Sequence, residues 1–303
     1  MSPRTHPIEG VIPILVTPFR PDGAIDHDGV LAEVDHLLGT GITWVGLGFG
    51  SEVDTMSEQE VGELTASVRE ALGDRGSLIG NVEMAEHHAE TCRRIQAMVQ
   101  AGADAVLLRP IRLDDASEGR QFEMISAAAR DCTIDVVVQD APQHNGVDLT
   151  PATLARLLTE VAGVAAVKVE PAAAAVKIGQ VRAALAGAPG SIIGGRGGSD
   201  LVHELLRGGT GTMPGAAFPE LFGQVLAGVA SGDVEAALQS WARLLPFAAV
   251  GNRDFTTFLW LNKHVLVRQG VLQRTDVRHH GPVDAELRRE VDRLLDVFGG
   301  GVA

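Results

Sequence analysis

Eight short apolar segments alternate with segments of helical spacing between residues 11 and 215, and this alternation constrains the fold most. Short, continuously apolar strands are typical of a parallel sheet that is covered on both faces. Eight strand–helix units predict a (β/α)8 TIM barrel rather than an open doubly wound sheet, and no G-x-G-x-x-G motif follows the first strand. The apolar segments are VIPILV (11–16), WVGLG (44–48), SLIGNV (77–82), DAVLLR (104–109), IDVVVQ (134–139), VAAVK (164–168), SIIGG (191–195) and the weaker TGTMPG (210–215).

Helical patterns with recognisable ends separate these strands. The segment 57–74 opens with Ser57 and Glu60, which form a capping-box pattern, and the segment 148–161 opens with Thr150 followed by Pro151. Two other helices, over 29–41 and 86–102, end in glycine. From about Leu226 the pattern becomes entirely helical. We therefore predict a barrel over residues 1–225 and a helical extension over 226–303 that packs on it.

Composition narrows the class of partner and the location. The 303 residues are 45% hydrophobic and carry a formal net charge of −14, which makes nucleic acids and anionic membrane surfaces poor partners. The N-terminal MSPRTHPIEG lacks the apolar region of a signal peptide, and no apolar run is long enough to span a bilayer. We expect a cytoplasmic protein with Cys92 and Cys132 as reduced thiols rather than a disulfide.

Lys168 closes the sixth predicted strand in the sequence VAAVKVEP (164–171). A lysine at a strand end can extend to solvent or pair with a neighbour such as Glu170. The alternative is a nucleophile, because desolvation favours the neutral amine, which condenses with a ketone to form a Schiff base. In a barrel the chemistry lies at the carboxyl ends of the strands, and Lys168 stands at such an end.

The order of several segments resembles one family. GVIPILVTPF (10–19), a glycine-rich turn with a glutamate in GFGSE (48–52), AGADAVLLRP (101–110) and the strand-end lysine together resemble the dihydrodipicolinate synthase / N-acetylneuraminate lyase family of class I Schiff-base enzymes. The resemblance covers nearly the whole chain. It implies a barrel with a C-terminal helical extension, a homo-oligomer (usually a tetramer built as a dimer of dimers), a small 2-oxo acid substrate, and Lys168 as the Schiff-base residue.

Departures from that family bear on the reaction. The family commonly carries two threonines in the turn that here reads GFGSE, and a tyrosine proton relay at the end of the fifth strand. This chain has no tyrosine, and Gln139 occupies the relay position. A carboxamide forms hydrogen bonds but is not an acid or base near neutral pH. Since dehydration can use a carboxylate, a histidine or a held water instead, the absence favours a hydro-lyase over an aldolase.

Several further segments resemble the L-2-keto-3-deoxyarabonate dehydratase branch of this family, whose members convert a 2-keto-3-deoxy pentonate to a 2-oxo acid semialdehyde. These are VQDAP followed by GVDL, the SE pair of the turn, KVE after the sixth strand, and the tail 269–283. Position at the strand ends, together with the resemblance, selects two groups of site residues. The catalytic candidates are Lys168, Glu52, Glu170 and Gln139; the substrate-binding candidates are Gly50, Ser51, Asp140, His144, Arg112, Gly194 and Gly195.

Other functions also fit these residues. The same lysine could serve a pyruvate-dependent aldolase or lyase, and the loss of the relay also fits a catalytically silent sugar-acid-binding protein. GGRGGSD (194–200) could cradle a phosphate, because it follows a strand and precedes a helix. The HH pairs at 87–88 and 279–280 do not share a helix face, so we predict no metal, and the chemistry requires no organic cofactor.

Overall fold

Eight parallel strands form one sheet. Strands β2 to β8 pair in the order in which they occur in the chain, and the first strand, β1, pairs with the last, β8. The computed structural model describes residues 7–113 and 117–298. The barrel closes where Ile14 bridges Gly46 on one side and Gly215 on the other. This confirms the predicted (β/α)8 barrel. The strands are β1 (Gly10–Val11), β2 (Trp44–Gly46), β3 (Ser77–Glu83), β4 (Ala105–Arg109), β5 (Asp135–Asp140), β6 (Val164–Val169), β7 (Ser191–Gly194) and β8 (Gly211–Thr212).

The described helices alternate with these strands and then continue as a helical extension. Within the barrel they are α1 (His27–Gly39), α2 (Glu58–Leu72), α3 (His88–Gln100), α4 (Glu118–Asp131), the one-turn α5 (Pro142–Asn145), α6 (Pro151–Glu160), α7 (Ala174–Ala184) and α8 (Leu201–Leu206). After β8 follow α9 (Pro219–Ser231), α10 (Val234–Gly251), α11 (Phe255–Arg268) and α12 (Ala285–Phe298).

Local sequence explains where several elements begin and end. Ser57 accepts the Glu60 amide while the Glu60 carboxylate accepts the Ser57 amide, which confirms the capping box of α2. The Thr150 side chain caps α6 by accepting the Thr153 amide at 3.2 Å. The first strand is shorter than the predicted 11–16, because Pro13 has no N–H to donate to a ladder.

Alternation along each strand decides which side chains enter the barrel. Along β6, Ala166 belongs to the apolar cluster inside the barrel, whereas Val167 and Val169 belong to the cluster between sheet and helices. Because successive side chains point to opposite faces, Lys168 and Glu170 share the inner face with Ala166. The same rule governs β5 and β7.

The C-terminal helices pack on the barrel through a separate apolar cluster. It joins Phe218 and Phe222 of the α9 region to Phe247, Trp260 and Val291 of α10, α11 and α12. The division predicted at residue 226 falls inside α9. Among residues 7–113 and 117–298, no helix combines the length and apolar character needed to cross a bilayer.

Candidate active site

Lys168 lies inside the barrel at the carboxyl end of β6, next to two other predicted catalytic residues. Its side chain is 6% exposed, and its Nζ lies 3.1 Å from Oε2 of Glu170. Gln139 is paired with Lys168 in the β5–β6 register, and its Nε2 donates to the same Glu170 oxygen at 2.7 Å. The structure therefore brings Lys168, Glu170 and Gln139 into one buried cluster.

The carboxylate of Glu170 is held in its charged form. Burial alone would raise its pKa, but the Lys168 charge, the Gln139 and Lys168 hydrogen bonds and the Arg196 amide together lower the pKa below its usual range. The Arg196 N–H donates to Oε1 at 3.2 Å. A buried, ionised carboxylate beside an amine can accept a proton from a substrate carbon held on that amine.

The chain contains three lysines, and the structure buries all three beside carboxylates. Lys177 Nζ lies 2.6 Å from Asp140 Oδ2, on the helix side of the sheet, and Lys263 pairs with Glu52. Only Lys168 of the three lines the cavity at the barrel mouth. Burial next to an acid is thus common to the lysines, and it is access to this cavity that distinguishes Lys168.

The cavity at the mouth has a volume of about 240 Å³. One side of it comes from residues near the carboxyl ends of the strands, and the other side comes from the α10–α11 segment, which here means residues 252–258 and includes the first turn of α11. The barrel contributes Ile14, Phe49, Gly50, His144, Arg196 and Met213; the helical segment contributes Asn252, Asp254, Phe255 and Phe258. A pocket of this size with a few polar groups suits a small organic acid.

His144 lines the cavity within a group of aromatic rings. Its ring stacks on Phe49 with the centroids 4.4 Å apart, and Phe255 contacts both rings edge-on. Burial is the main cause that lowers the pKa of His144, and the positive charges of Lys168 and Arg109 act in the same direction. The imidazole is therefore neutral near pH 7 and can accept or donate one hydrogen bond toward the cavity.

The turn after β2 contributes its backbone to the cavity but not its hydroxyl. Gly50 lines the cavity, where an added Cβ would approach Ile14 Cγ2 to 3.1 Å. The Ser51 hydroxyl instead donates to the Leu15 carbonyl at 2.6 Å and accepts from the Gly48 amide at 3.2 Å. This corrects the expectation that Ser51 offers its hydroxyl to a substrate carboxylate.

Glu52 lies away from the cavity, which corrects the expectation that it handles protons. Lys263 Nζ of α11 donates to one of its oxygens, and the Arg278 amide donates to the other at 2.7 Å. Both side chains of the Glu52–Lys263 pair are essentially inaccessible. Burial lowers the pKa of Lys263, while the Glu52 charge opposes that shift. The pair joins the β2 turn to the C-terminal helices.

We expect Glu52→Gln to destabilise the fold and to leave proton transfer intact. Removing one partner of a buried ion pair leaves the other charge uncompensated and costs about 3–5 kcal/mol. Chemical unfolding should show this loss, and Glu52→Gln/Lys263→Met should recover part of it. The matched control Glu58→Gln, in an exposed pair with Arg93, should change stability by less than about 1 kcal/mol. An unchanged stability with a large loss of turnover would contradict the structural role.

Asp140 and Gly194 lie on the outer face of the barrel, so the structure corrects their expected contact with substrate. Asp140 follows Val138, which faces the helices, and its carboxylate pairs with Lys177 and accepts the Leu149 amide at 3.1 Å. Burial is the largest influence on the Asp140 pKa and raises it, although Lys177 opposes the rise. An added Cβ on Gly194 would lie 2.0 Å from Glu204 Oε2, on the helix side.

Gly195 and Arg112 were predicted to bind substrate, but neither lines the cavity. A Cβ on Gly195 would lie 2.0 Å from Oε1 of Glu170, so only glycine leaves room for that carboxylate beside β7. Gly195 thus positions Glu170 rather than contacting the cavity. Arg112 is exposed and lies outside the cavity lining, near Gly146.

The wall from the α10–α11 segment was not anticipated from the sequence. Asn252, Asp254, Phe255 and Phe258 close one side of the cavity, although they lie more than 80 residues beyond Lys168 in the chain. Their helices were predicted, but their orientation toward the mouth depends on long-range packing. The signal that could have drawn notice is the break between two helices at NRDF, where Asp254 caps α11.

Outside the cavity, one group of potential metal-donor atoms occurs within residues 7–113 and 117–298. His88 and Cys92 of α3 lie near Asp131 of α4, with donor atoms within 4.8 Å of one another. His88 Nε2 and Asp131 Oδ2 are 2.8 Å apart, which accounts for the group as a surface hydrogen bond. The expected absence of a metal therefore stays a prediction.

The chain is similar to proteins of one family. The profile of the "Dihydrodipicolinate synthetase family" matches residues 7–297. The 4-hydroxy-tetrahydrodipicolinate synthase of Chlorobium luteolum is 25% identical over 97% of this chain and 99% of its own length. That of Methanothrix thermoacetophila is 32% identical, but the alignment covers 52% of this chain and 53% of the relative. The crystal structure of YagE from E. coli K12 in complex with pyruvate superposes with a TM-score of 0.87 at 24% identity, covering 96% of this chain and 99% of YagE.

Proposed function

Because the chain belongs to the dihydrodipicolinate synthetase family of class I lyases, we propose that it is a Schiff-base-forming hydro-lyase that dehydrates a 2-keto-3-deoxy sugar acid. The substrate we propose is L-2-keto-3-deoxyarabonate or a similar pentonate, and the product is a 2-oxo acid semialdehyde. One observation carries this proposal: the Glu170 carboxylate lies 3.1 Å from Lys168 Nζ in a chain that has no tyrosine.

Lys168 forms the covalent intermediate. Its amine attacks the C2 ketone, the C2–N bond forms, and the ketone oxygen leaves as water to give an iminium. Glu170 Oε2 lies within hydrogen-bonding distance of Nζ and can accept the proton that the amine gives up. That YagE, a protein of the same family, was solved in complex with pyruvate supports a 2-oxo acid as the ligand of this fold.

Glu170 is the base for the carbon acid. The iminium acidifies the C3 protons, and the proton passes to Glu170 while its electron pair forms the C2=C3 bond of an enamine. The enamine expels the C4 hydroxyl, which takes up a proton and leaves as water. Loss of a C5 proton, protonation at C3, tautomerisation of the C4=C5 enol and hydrolysis of the iminium then release the semialdehyde and free Lys168. The charge of the iminium replaces that of the ammonium beside Glu170, so the carboxylate stays in an environment that favours its ionised form.

Gln139, Gly50 and His144 position the substrate in this proposal. Gln139 fixes Glu170 through its amide N–H, and its Oε1 is buried without a hydrogen-bond partner among the described residues. A buried acceptor without a donor is costly, and a substrate hydroxyl or water could satisfy it. Gly50 leaves room for the acid beside Ile14, and the His144 imidazole can bind a sugar hydroxyl.

Product analysis tests the reaction class. With 2-keto-3-deoxyarabonate we expect the semialdehyde, detected as a hydrazone by mass spectrometry, and incorporation of deuterium when the reaction is run in D2O. Formation of pyruvate and glycolaldehyde would instead show cleavage between C3 and C4, and the enzyme would be an aldolase. Boiled enzyme and Lys168→Ala are the controls.

The names of the curated relatives favour the aldolase alternative, since both are synthases. A pyruvate-dependent aldolase on the same lysine would show consumption of pyruvate in the presence of an aldehyde. A silent binding protein would retain the 2-oxo acid without turnover. The proposed tetramer and the cytoplasmic location remain predictions, and size-exclusion chromatography with light scattering tests the first.

A further inference from the structure

Arg196 occupies an unusual backbone position next to the Lys168–Glu170 pair. β7 ends at Gly194, and a 3₁₀ turn begins at Arg196 with φ of +52°. This left-handed conformation is disfavoured for a residue with a Cβ and is found where surrounding contacts hold it. Here the Arg196 N–H donates to Glu170 Oε1, and the Arg196 carbonyl accepts the Ser199 hydroxyl at 3.0 Å. The turn therefore holds the arginine at the cavity wall.

Arg196 lines the cavity and is half-buried there. Its Nε is buried and has no hydrogen-bond partner, and no ion pair joins its side chain to any residue in 7–113 or 117–298. Other cations near this end of the barrel are paired: Lys168 with Glu170, and Arg109 with Asp54 at 2.9 Å. A partly desolvated cation that lacks an anion is unfavourable, so the cavity favours an anionic ligand.

The neighbouring acids do not supply that anion. The charge of Arg196 lowers the pKa of Glu204, but burial raises it more, to about 8. Glu204 is therefore neutral at pH 7. Asp254 lines the same cavity, yet its oxygens accept the Thr257 amide at 2.9 Å and the Thr257 hydroxyl at 2.6 Å as the cap of α11. Glu170 is shared by Lys168, Gln139 and the Arg196 backbone.

We propose that Arg196 is the carboxylate-binding residue of the cavity, an assignment that rests on the proposed function and names the anionic class of its substrate. A guanidinium presents parallel N–H donors that match a carboxylate and remains charged at all relevant pH values. The turn after β2 is a weaker candidate for this role, since the Ser51 hydroxyl is already committed to Leu15 and Gly48. The bound group is either the carboxylate beside the ketone or a terminal carboxylate of a dicarboxylic 2-oxo acid.

The test compares Arg196→Met and Arg196→Lys with the wild type, using three probes. The probes are pyruvate, its uncharged amide pyruvamide, and 2-oxoglutarate, which has a second carboxylate. The readout is the probe concentration that gives half-maximal borohydride-trapped adduct, measured by intact mass. Both variants keep a Cβ at position 196 and so the same backbone strain, and Arg130→Met on the exposed face of α4 is the control for loss of an arginine.

For Arg196→Met we expect the half-maximal concentration of pyruvate to rise by about 10-fold or more, because two charge-assisted hydrogen bonds are lost. Pyruvamide should change little, and Arg196→Lys should recover part of the loss. If only 2-oxoglutarate is weakened, Arg196 binds the terminal carboxylate. Equal changes for all three probes, or none, would overturn the assignment.

A second measurement separates this proposal from the proposed function. In Lys168→Ala, where no iminium can form, calorimetric titration with pyruvate and 2-oxoglutarate measures carboxylate binding alone. Added Arg196→Met should weaken or abolish that binding. If the wild type traps no adduct but Lys168→Ala still loses binding on Arg196→Met, the reaction proposal fails and the Arg196 assignment stands. If the wild type traps the adduct and binding does not depend on Arg196, the Arg196 assignment fails and the Schiff-base step of the reaction proposal stands.

Discussion

Replacing Lys168 with alanine is expected to abolish turnover, with a fall in kcat of more than about 10³-fold. The iminium is the electron sink for every later step, and no other lysine lines the cavity. The variant should still fold, because Glu170 keeps its Gln139 and Arg196 hydrogen bonds, but its free energy of unfolding should fall because Glu170 loses its buried ion-pair partner. Steady-state kinetics with 2-keto-3-deoxyarabonate and the circular dichroism spectrum provide the measurement.

Lys177→Ala is the matched control for this prediction. Lys177 is also a buried lysine paired with a carboxylate, but it lies on the helix side of the sheet with Asp140 and Asp148. Its replacement should lower the free energy of unfolding and leave adduct formation intact. If both alanine variants lose turnover equally, the effect would come from disturbed packing and not from the loss of a nucleophile.

Glu170→Gln is expected to lower kcat by about 10²–10⁴-fold while the adduct on Lys168 still forms. The amide retains the shape of the side chain but cannot accept the C3 proton. In D2O, the wild-type adduct with pyruvate should exchange its methyl protons for deuterium, and the variant adduct should exchange far more slowly. Mass spectrometry of the trapped adduct measures this exchange. The exposed Glu123→Gln is the control.

The dependence of kcat/KM on pH also tests whether Glu170 is the base. The pKa of Glu170 is lowered, so its carboxylate is the populated form at every pH above the usual glutamate range. As pH falls, kcat/KM should therefore hold until below that range, and the acid limb should lie lower than for an ordinary glutamate. Exchange at the wild-type rate in Glu170→Gln, or an acid limb near neutral pH, would assign the base to another group.

The barrel and its central lysine were predictable because they depend on local regularities. Continuous apolar runs such as IDVVVQ and the caps at Ser57 and Thr150 each indicate one element, and eight units admit few architectures. Gln139, Lys168 and Glu170 come together because parallel strands end at one edge. The alternation along β5 and β7 could also have predicted that Asp140 and Gly194 face the helices, because each is next to a residue, Gln139 or Gly195, that faces the inside of the barrel.

The remainder of the site depends on contacts that no local pattern records. Glu52 occupies a left-handed position and pairs with Lys263, a residue 211 positions later in the chain. Phe255 and Phe258 form a wall of the cavity only because α10, α11 and α12 pack against α8 and α9. The sequence places Arg196 after the seventh strand, in GGRGG. That no neighbouring acid in the described part of the chain forms an ion pair with it depends on the three-dimensional positions of those acids.

Site mapping of a borohydride-trapped adduct tests the central claim most directly. The chain has three lysines, so digestion of wild-type protein reduced in the presence of pyruvate can place the adduct without ambiguity. The account predicts one reduced pyruvate per chain, carried on the peptide that contains Lys168 and absent from those containing Lys177 and Lys263. An adduct on either of those peptides, or no mass gain with pyruvate or any 2-keto-3-deoxy acid, would contradict it.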